Sequence, residues 1–256
     1  MDSGEWLGER YRLEQRIDSG RGTEVWRAWD RVLARPVALK LVPGEPLLDP
    51  ASRTRVRDGI LACAALSHHG IVTVYDSDET SGAKAAPVPY LVMELIDGVS
   101  LADGIRGGPL PVATAIQVCT QVAEALSKVH GAGLVHGDIR PSKVLLTPDG
   151  VRVLAPSLTR EPAWDALPYL PPEQPTTAPP TRPADIYALG ILLTECLTGK
   201  RSPTTPLPDT VPPAATALCH RCRSTAPEAR PTAPRAATTL RAVSGPPAPP
   251  PATPPP

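Results

Sequence analysis

The chain has 256 residues, of which 41% are hydrophobic and 20% charged, and this composition predicts a globular body large enough for two lobes. Its formal net charge is zero and neither half is strongly basic, so nucleic acid is not expected as a partner. Five scattered cysteines argue against a disulfide framework and favour a reducing compartment, so we expect a cytoplasmic location.

The first third of the chain alternates apolar and polar residues around turn residues, a pattern typical of antiparallel strands. Three strands are expected within residues 11–42, and two more over residues 71–75 and 90–95. Between them, residues 53–66 have apolar side chains at helical spacing, which predicts one amphipathic helix. These elements predict a small β-rich first lobe.

The pattern becomes helical after Asp97-Gly98, which is a turn signal. The elements predicted there are a long helix over 112–129, a hairpin of strands over 144–146 and 151–154, a mostly apolar helix over 184–197, a helix that begins at 218, and a last helix over 235–243. A β-rich lobe followed by an α-rich lobe places the chain in the α+β class.

We expect one domain over residues 1–243, with a first lobe over about 7–95 and a second lobe over about 97–243. Residues 244–256 are rich in proline and cannot form a packed element, so they are expected to be a disordered tail. The acidic start predicts no secretory signal, and the longest apolar run, residues 186–197, is too short to span a bilayer. No membrane segment is therefore expected.

The most informative stretch is Leu134-Val-His-Gly-Asp-Ile-Arg-Pro-Ser-Lys-Val-Leu-Leu146, which lies between a predicted helix and a predicted strand. It places one carboxylate, Asp138, and two cations, Arg140 and Lys143, within six positions. Such a cluster suits contact with a phosphate or orientation of a hydroxyl group. The stretch resembles the catalytic loop of the bacterial eukaryotic-like (Hanks-type) serine/threonine protein kinases, whose pattern is His-Arg-Asp-x-Lys-Pro-x-Asn.

Other stretches resemble the same family in the same order, over residues 7 to about 243. They are Arg10-Tyr-Arg-Leu13, Arg35-Pro-Val-Ala-Leu-Lys40, Leu66-Ser-His68, Val92-Met-Glu94, Pro172-Glu173-Gln174, Asp185-Ile-Tyr-x-Leu-Gly190 and Arg230-Pro231. The resemblance implies the two-lobed protein-kinase fold. It also implies that Glu173 pairs with Arg230 and that Asp185 accepts hydrogen bonds from backbone amides of the catalytic loop.

Several positions depart from the family pattern. The helix glutamate position falls on Gly59, and Asp58 beside it lies about 100° away around a helix. The family's magnesium ligands are an aspartate, where this chain has Ala155, and an asparagine, where it has Lys143, whose ammonium cannot bind a metal. The glycine-rich phosphate loop becomes Asp18-Ser-Gly-Arg-Gly-Thr23, with one glycine in register.

The resemblance still implies a set of site residues and no metal site. Lys40 stands at the position of the family's strand lysine, and we interpret Asp138 as a vestigial proton acceptor. The residues implied around a nucleotide are Val25, Ala38, Lys40, Met93, Glu94, Ile96, Lys143 and Leu145. The apolar members of this set are equally expected in a core, so nucleotide binding stays open.

Because both magnesium ligands are replaced, we predict a pseudokinase that is not an enzyme. It would be a signalling scaffold or adaptor that binds other signalling proteins and could bind ATP without magnesium. One alternative is a divergent active serine/threonine protein kinase that transfers phosphate from ATP with Asp138 as the base. A second alternative is a protein-interaction module whose nucleotide slot has collapsed.

The segment Cys219-His-Arg-Cys222 has the spacing of half a zinc site. A structural zinc site normally needs a second pair of ligands, and no second Cys or His pair is nearby. We therefore favour a helix with two small apolar residues.

Overall fold

The chain divides into two compact units in this computed structural model, which describes residues 1–20, 23–41, 58–80, 88–156, 164–175 and 178–244. The first unit holds the described residues of Met1–Ser67 and Val72–Ile96, and the second holds those of His68–Ile71 and Asp97–Pro256. Residues 245–256 of the predicted tail lie outside the described residues. The predicted domain limits stay a prediction.

The first unit contains an antiparallel sheet of six strands. These are β1 (Trp6–Leu7), β2 (Tyr11–Gly20), β3 (Thr23–Asp30), β4 (Arg35–Leu41), β5 (Val74–Glu79) and β6 (Pro89–Met93), in the spatial order β1-β2-β3-β4-β6-β5. The three strands predicted over 11–42 are confirmed. Strand β1 was not predicted, because two residues are too few to show an alternating pattern in the sequence. The strand predicted over 71–75 begins later, at Val74. Ile71 forms only an isolated bridge with Val153, and both of these residues belong to the second unit.

One face of this sheet carries the core of the first unit. Its buried residues are Leu7, Tyr11, Leu13, Trp26, Ala28, Val37, Leu39, Leu41, Tyr90 and Val92. Side chains along a strand alternate between faces, so Ala38 and Lys40 of β4 lie on the opposite face. Residues 58–64 form the described part of helix α1, and residues 53–57 of the predicted helix lie outside the described residues.

Helices and a small sheet make up the second unit. The helices are α2 (Leu101–Gly104), α3 (Val112–Gly131), α4 (Arg182–Thr198), α5 (Pro213–Cys222) and α6 (Ala233–Val243), and the strands are β7 (Val99–Ser100), β8 (Val144–Thr147) and β9 (Gly150–Val153). The strands pair in the order β7-β8-β9. Among the described residues, no helix has the length and apolar character required to cross a membrane.

Helix α5 corrects the prediction of a helix that begins at Leu218. The helix ends at Cys222, but it begins at Pro213, so a proline lies in its first turn. Proline is tolerated there because the first backbone N–H groups of a helix have no partner within it. The helix therefore starts five residues earlier than predicted.

Helix α4 is buried along nearly its whole length, as predicted from its apolar sequence. The hydroxyl of Thr181 caps its first turn by accepting from the Ala184 N–H at 3.3 Å. Gly199 ends the helix in the left-handed region, at φ 71°. This rigid, buried helix carries Asp185 in its first turn.

The segment Cys219-His-Arg-Cys222 packs α5 against α4. The thiol of Cys219 donates to the carbonyl oxygen of Gly190 at 3.4 Å. A Cβ at Gly190 would lie only 2.8 Å from the Cβ of Cys222 and 2.9 Å from the Cγ of Arg223. Burial raises the pKa of the Cys222 thiol, so the side chain stays protonated. Both cysteines therefore act as small packing residues here.

Replacing Gly190 by alanine should destabilise the second unit. Alanine gains about 1 kcal/mol of helix propensity, but the added methyl group overlaps two neighbours and overpacking costs about 1–3 kcal/mol. We expect a net loss of about 1 kcal/mol in the free energy of unfolding, measured by thermal denaturation. Gly131→Ala is the matched control, because nothing lies within 4 Å of its added methyl group. Equal melting temperatures of the Gly190→Ala and Gly131→Ala variants would contradict the prediction.

Candidate active site

The loop that carries Asp138 connects α3 to β8 and is fixed by a buried carboxylate. Asp185, which is 2% exposed, accepts hydrogen bonds from the backbone N–H groups of His136 and Gly137, each at 2.8 Å. His130, near the end of α3, contacts the same carboxylate through Nε2 at 2.8 Å. The predicted role of Asp185 is confirmed by these contacts, and His130 was missed because nothing in the helical pattern separates it from a surface residue.

His136 fixes the backbone of Asp138. Burial lowers the pKa of His136, so the ring is neutral. The backbone N–H of Asp138 donates to Nδ1 at 3.2 Å, which makes Nδ1 the unprotonated nitrogen. The Nε2–H then donates to the carbonyl oxygen of Leu154 at 2.9 Å. The backbone position of Asp138 is therefore set without help from its own side chain.

Gly137 stands where the family pattern has arginine. Its φ is 75°, in the left-handed region that glycine adopts without strain. The left-handed backbone at this position therefore suits glycine, the residue that replaces the arginine.

Two cations converge on the carboxylate of Asp138. The Nε–H of Arg140 donates to Oδ1 at 2.7 Å, and Nζ of Lys143 lies 3.8 Å from Oδ2. Arg140 also donates through Nη1 to Oδ2 of Asp165. The side chains of Asp138 and Lys143 are 20% and 19% exposed, so both are partly screened from water. Sequence reasoning missed Asp165, because it lies in a proline-rich stretch without periodicity.

The first unit places four predicted nucleotide residues on one face of its sheet. Val25 of β3 pairs with Lys40 of β4, and Ala38 of β4 pairs with Met93 of β6. Residues that are directly opposed on neighbouring strands, or two apart on one strand, share a face. These four therefore share the face opposite the core.

The remaining predicted nucleotide residues are divided between the units. Glu94 and Ile96 follow β6 in the first unit, and the Glu94 N–H donates to the carbonyl oxygen of Thr73 at 2.9 Å. Leu145 lies on β8 in the second unit, where it is paired with Ser100 and Arg152. The structure thus brings together Val25, Ala38, Lys40 and Met93 in the first unit, and Asp138 and Lys143 in the second.

An ion pair with a buried arginine ties the region after the catalytic loop to the residues just before α6. Arg230, whose side chain is 0% exposed, donates to both carboxylate oxygens of Glu173 at 2.6 and 2.7 Å. It also donates to the carbonyl oxygens of Ser224 and Pro183. Burial alone would raise the pKa of Glu173, but the hydrogen bonds from Arg230 hold it below its ordinary value. The predicted pairing of Glu173 with Arg230 is confirmed.

Replacing Glu173 by glutamine should cost about 2–3 kcal/mol in the free energy of unfolding at neutral pH, because a buried guanidinium loses its charged partner. The lowered pKa of Glu173 means that the ion pair stabilises the fold above the unfolded carboxyl value of about 4.3. This stabilisation is lost as pH falls through the folded pKa. Denaturation across pH should therefore show the difference between the two proteins shrinking below about pH 4. A pH-independent difference would contradict this.

The sequence matches the model of the protein kinase domain over residues 11–240. The chain belongs to the protein kinase family. It is 33% identical over 240 residues to the serine/threonine-protein kinase PknA of Mycobacterium tuberculosis and 34% identical over 207 residues to PknB of Mycobacterium leprae. These matches cover 82% and 76% of this chain, but 55% and 33% of the relatives. The chain thus spans about half the length of PknA and a third of PknB.

The fold of this chain is shared by a solved structure. The kinase domain of PknI from Mycobacterium tuberculosis superposes with a TM-score of 0.76, at 24% identity, over 94% of this chain and 99% of that one. The predicted family and the predicted α+β protein-kinase fold are therefore confirmed.

Two predictions are wrong. The chain was expected not to be an enzyme, but its relatives at 33–34% identity are named serine/threonine-protein kinases. Any ATP was expected to bind without magnesium, whereas serine/threonine kinases use ATP with magnesium. The error was to equate two replaced side chains with lost chemistry. Magnesium is also held by substrate phosphates and water, and Asp185 still holds the backbone of the loop that presents Asp138.

The side chains at the family's two metal positions do not fit a magnesium ion. Lys143 carries an ammonium directed at Asp138, and Ala155, just after β9, has only a methyl group. Among the described residues, no three His, Cys, Asp or Glu side chains are grouped closely enough to hold a metal. Neither position 143 nor position 155 therefore supplies a ligand.

Proposed function

We propose that this chain is a serine/threonine protein kinase domain, which transfers the γ-phosphoryl group of ATP to hydroxyl groups of substrate proteins. The observation that carries the proposal is the presentation of Asp138. Its backbone is held by His136, and the loop around it is held by the buried carboxylate of Asp185. A catalytic loop whose backbone anchors are in place, in a chain related to serine/threonine kinases, supports this activity over a binding role alone.

Asp138 is the general base in this proposal. The substrate hydroxyl oxygen forms a bond to the γ-phosphorus, the bond from that phosphorus to the β,γ-bridging oxygen breaks, and ADP leaves. The hydroxyl proton passes to the carboxylate of Asp138. The ammonium of Lys143, 3.8 Å from this carboxylate, adds positive charge close to where the phosphoryl group is transferred.

The other predicted residues have binding roles in this proposal. Lys40 would contact ATP phosphates, and the remaining residues, Val25, Ala38, Met93, Glu94, Ile96 and Leu145, would hold the purine. The shared sheet face of Val25, Ala38, Lys40 and Met93 supports this assignment. The partners would be ATP and substrate proteins, and the cytoplasmic location stays a prediction.

Phosphate transfer from labelled ATP tests the proposal. The purified chain is incubated with ATP, magnesium and a generic protein substrate, beside an Asp138→Asn variant prepared in the same way to account for contaminating kinases. We expect label on serine and threonine with the wild-type chain alone. Absence of label, or equal label with both proteins, would contradict the proposed function.

A further inference from the structure

Arg140 bridges two carboxylates that lie in different segments of the second unit. Its Nε–H donates to Asp138 at 2.7 Å, and its Nη1 donates to Asp165. The Arg140 side chain is 10% exposed, so its position is fixed by these bonds rather than by water. Arginine presents a planar fork of donors that can serve two acceptors at once, whereas a lysine ammonium is a single point charge. The family pattern has lysine at this position, and this chain has arginine.

The segment that carries Asp165 lies against the catalytic loop. Residues Trp164–Tyr169 form a short 3-10 helix. A small cavity is lined on one side by residues 137–139 of the loop and on the other by Ala166, Tyr169 and Leu170. The buried hydroxyl of Tyr169 donates to Glu195 of α4, which fixes the far end of the segment. The contact between Asp165 and Arg140 fixes its near end.

We propose that Asp165 is a positioning residue, which holds Arg140 in the orientation that directs the Asp138 carboxylate and which ties residues 164–169 to the catalytic loop. This inference rests on the proposed kinase function. Asp165 needs no contact with ATP or with the reacting hydroxyl for this role. Its carboxylate, on a side chain that is 58% exposed, acts only through Arg140, which bonds Asp138 and Asp165 at the same time.

Steady-state kinetics of Asp165→Asn tests the positioning role. Misplacing a catalytic group by a fraction of an ångström lowers the rate of the chemical step, so we expect kcat to fall about tenfold with the KM for ATP nearly unchanged. Asp165→Glu keeps the charge and should restore most of kcat. Asp209→Asn, at an exposed position, is the matched control and should behave like wild type. Wild-type kcat in Asp165→Asn would overturn the inference.

An Arg140→Lys background tests whether Asp165 acts through the guanidinium fork. Lysine can keep one of the two carboxylate contacts but not both. Asp165→Asn should therefore cause little further loss of kcat in that background, while it causes about a tenfold loss with Arg140 present. Equal losses in both backgrounds would mean that Asp165 acts independently of Arg140, and the inference would fail.

Hydrogen exchange separates failure of this inference from failure of the proposed function. If the wild-type chain transfers no phosphate, the proposed function falls, but the attachment of residues 164–169 can still be measured. We expect amides of this segment to exchange at least about tenfold faster in Asp165→Asn than in wild type or Asp209→Asn. Unchanged exchange would overturn the inference whether or not the chain is active. If Asp138→Asn is inactive while Asp165→Asn keeps the wild-type kcat, the inference about Asp165 is overturned and the proposed function stands.

Discussion

Asp138→Asn should lower kcat for phosphate transfer about 10³-fold, because general-base catalysis of this kind contributes about 10²–10⁴-fold. Asparagine has nearly the same size as aspartate but cannot accept a proton at the pH of the assay. The KM for ATP should change little, since Asp138 acts on the hydroxyl substrate. The measurement is the initial rate of transfer at saturating ATP.

The fold should survive this substitution. The backbone N–H of Asp138 is bound by His136, and Arg140 keeps its contact with Asp165 when the charge at position 138 is removed. A residue that only orders the loop would behave differently, because its loss would lower the melting temperature along with the rate. Asp138→Asn should therefore melt within a few degrees of Asp209→Asn. A large fall in melting temperature with a proportionate fall in rate would assign Asp138 a structural role instead.

The sequence predicted the residues that hold the catalytic loop in place better than it predicted the charged contacts around Asp138. Asp185 and the pair of Glu173 with Arg230 were predicted because each occupies a position fixed by motif order, and their contacts follow from burial. Asp165 could not be predicted, because its role depends on how residues 164–169 return to the loop. That return is a long-range packing event, which leaves no local period in the sequence.

The sequence also showed that the family's two metal ligands are replaced, but not what the new side chains contact. The replacement of the family's two metal ligands by Lys143 and Ala155 was wrongly taken to decide activity. In the folded chain, Lys143 is directed at Asp138 and forms part of the charge arrangement around it. A substitution at a ligand position can thus be seen in the sequence, while the new contact of the substituted side chain requires the structure.

Asp185→Asn should cause the largest loss of stability, about 3–5 kcal/mol in the free energy of unfolding. The Asp185 carboxylate accepts from two backbone N–H groups and contacts the ring of His130, all within a site that is almost fully buried. Asparagine offers one oxygen and one NH₂ group. Its NH₂ must face at least one of these donors, which leaves a buried N–H without an acceptor.

Thermal denaturation followed by far-UV circular dichroism measures this loss. For a chain of this size about 3–5 kcal/mol corresponds to a fall of about 10 °C in melting temperature. Asp209→Asn makes the same chemical change at an exposed position and should leave the melting temperature unchanged. The rate of phosphate transfer should fall too, since the N–H groups that lose their acceptor belong to His136 and Gly137, which immediately precede Asp138. A stable Asp185→Asn variant with wild-type rate would show that the loop keeps its shape without this carboxylate. The buried bonds to His136 and Gly137 would then not be the reason that Asp138 is held in place.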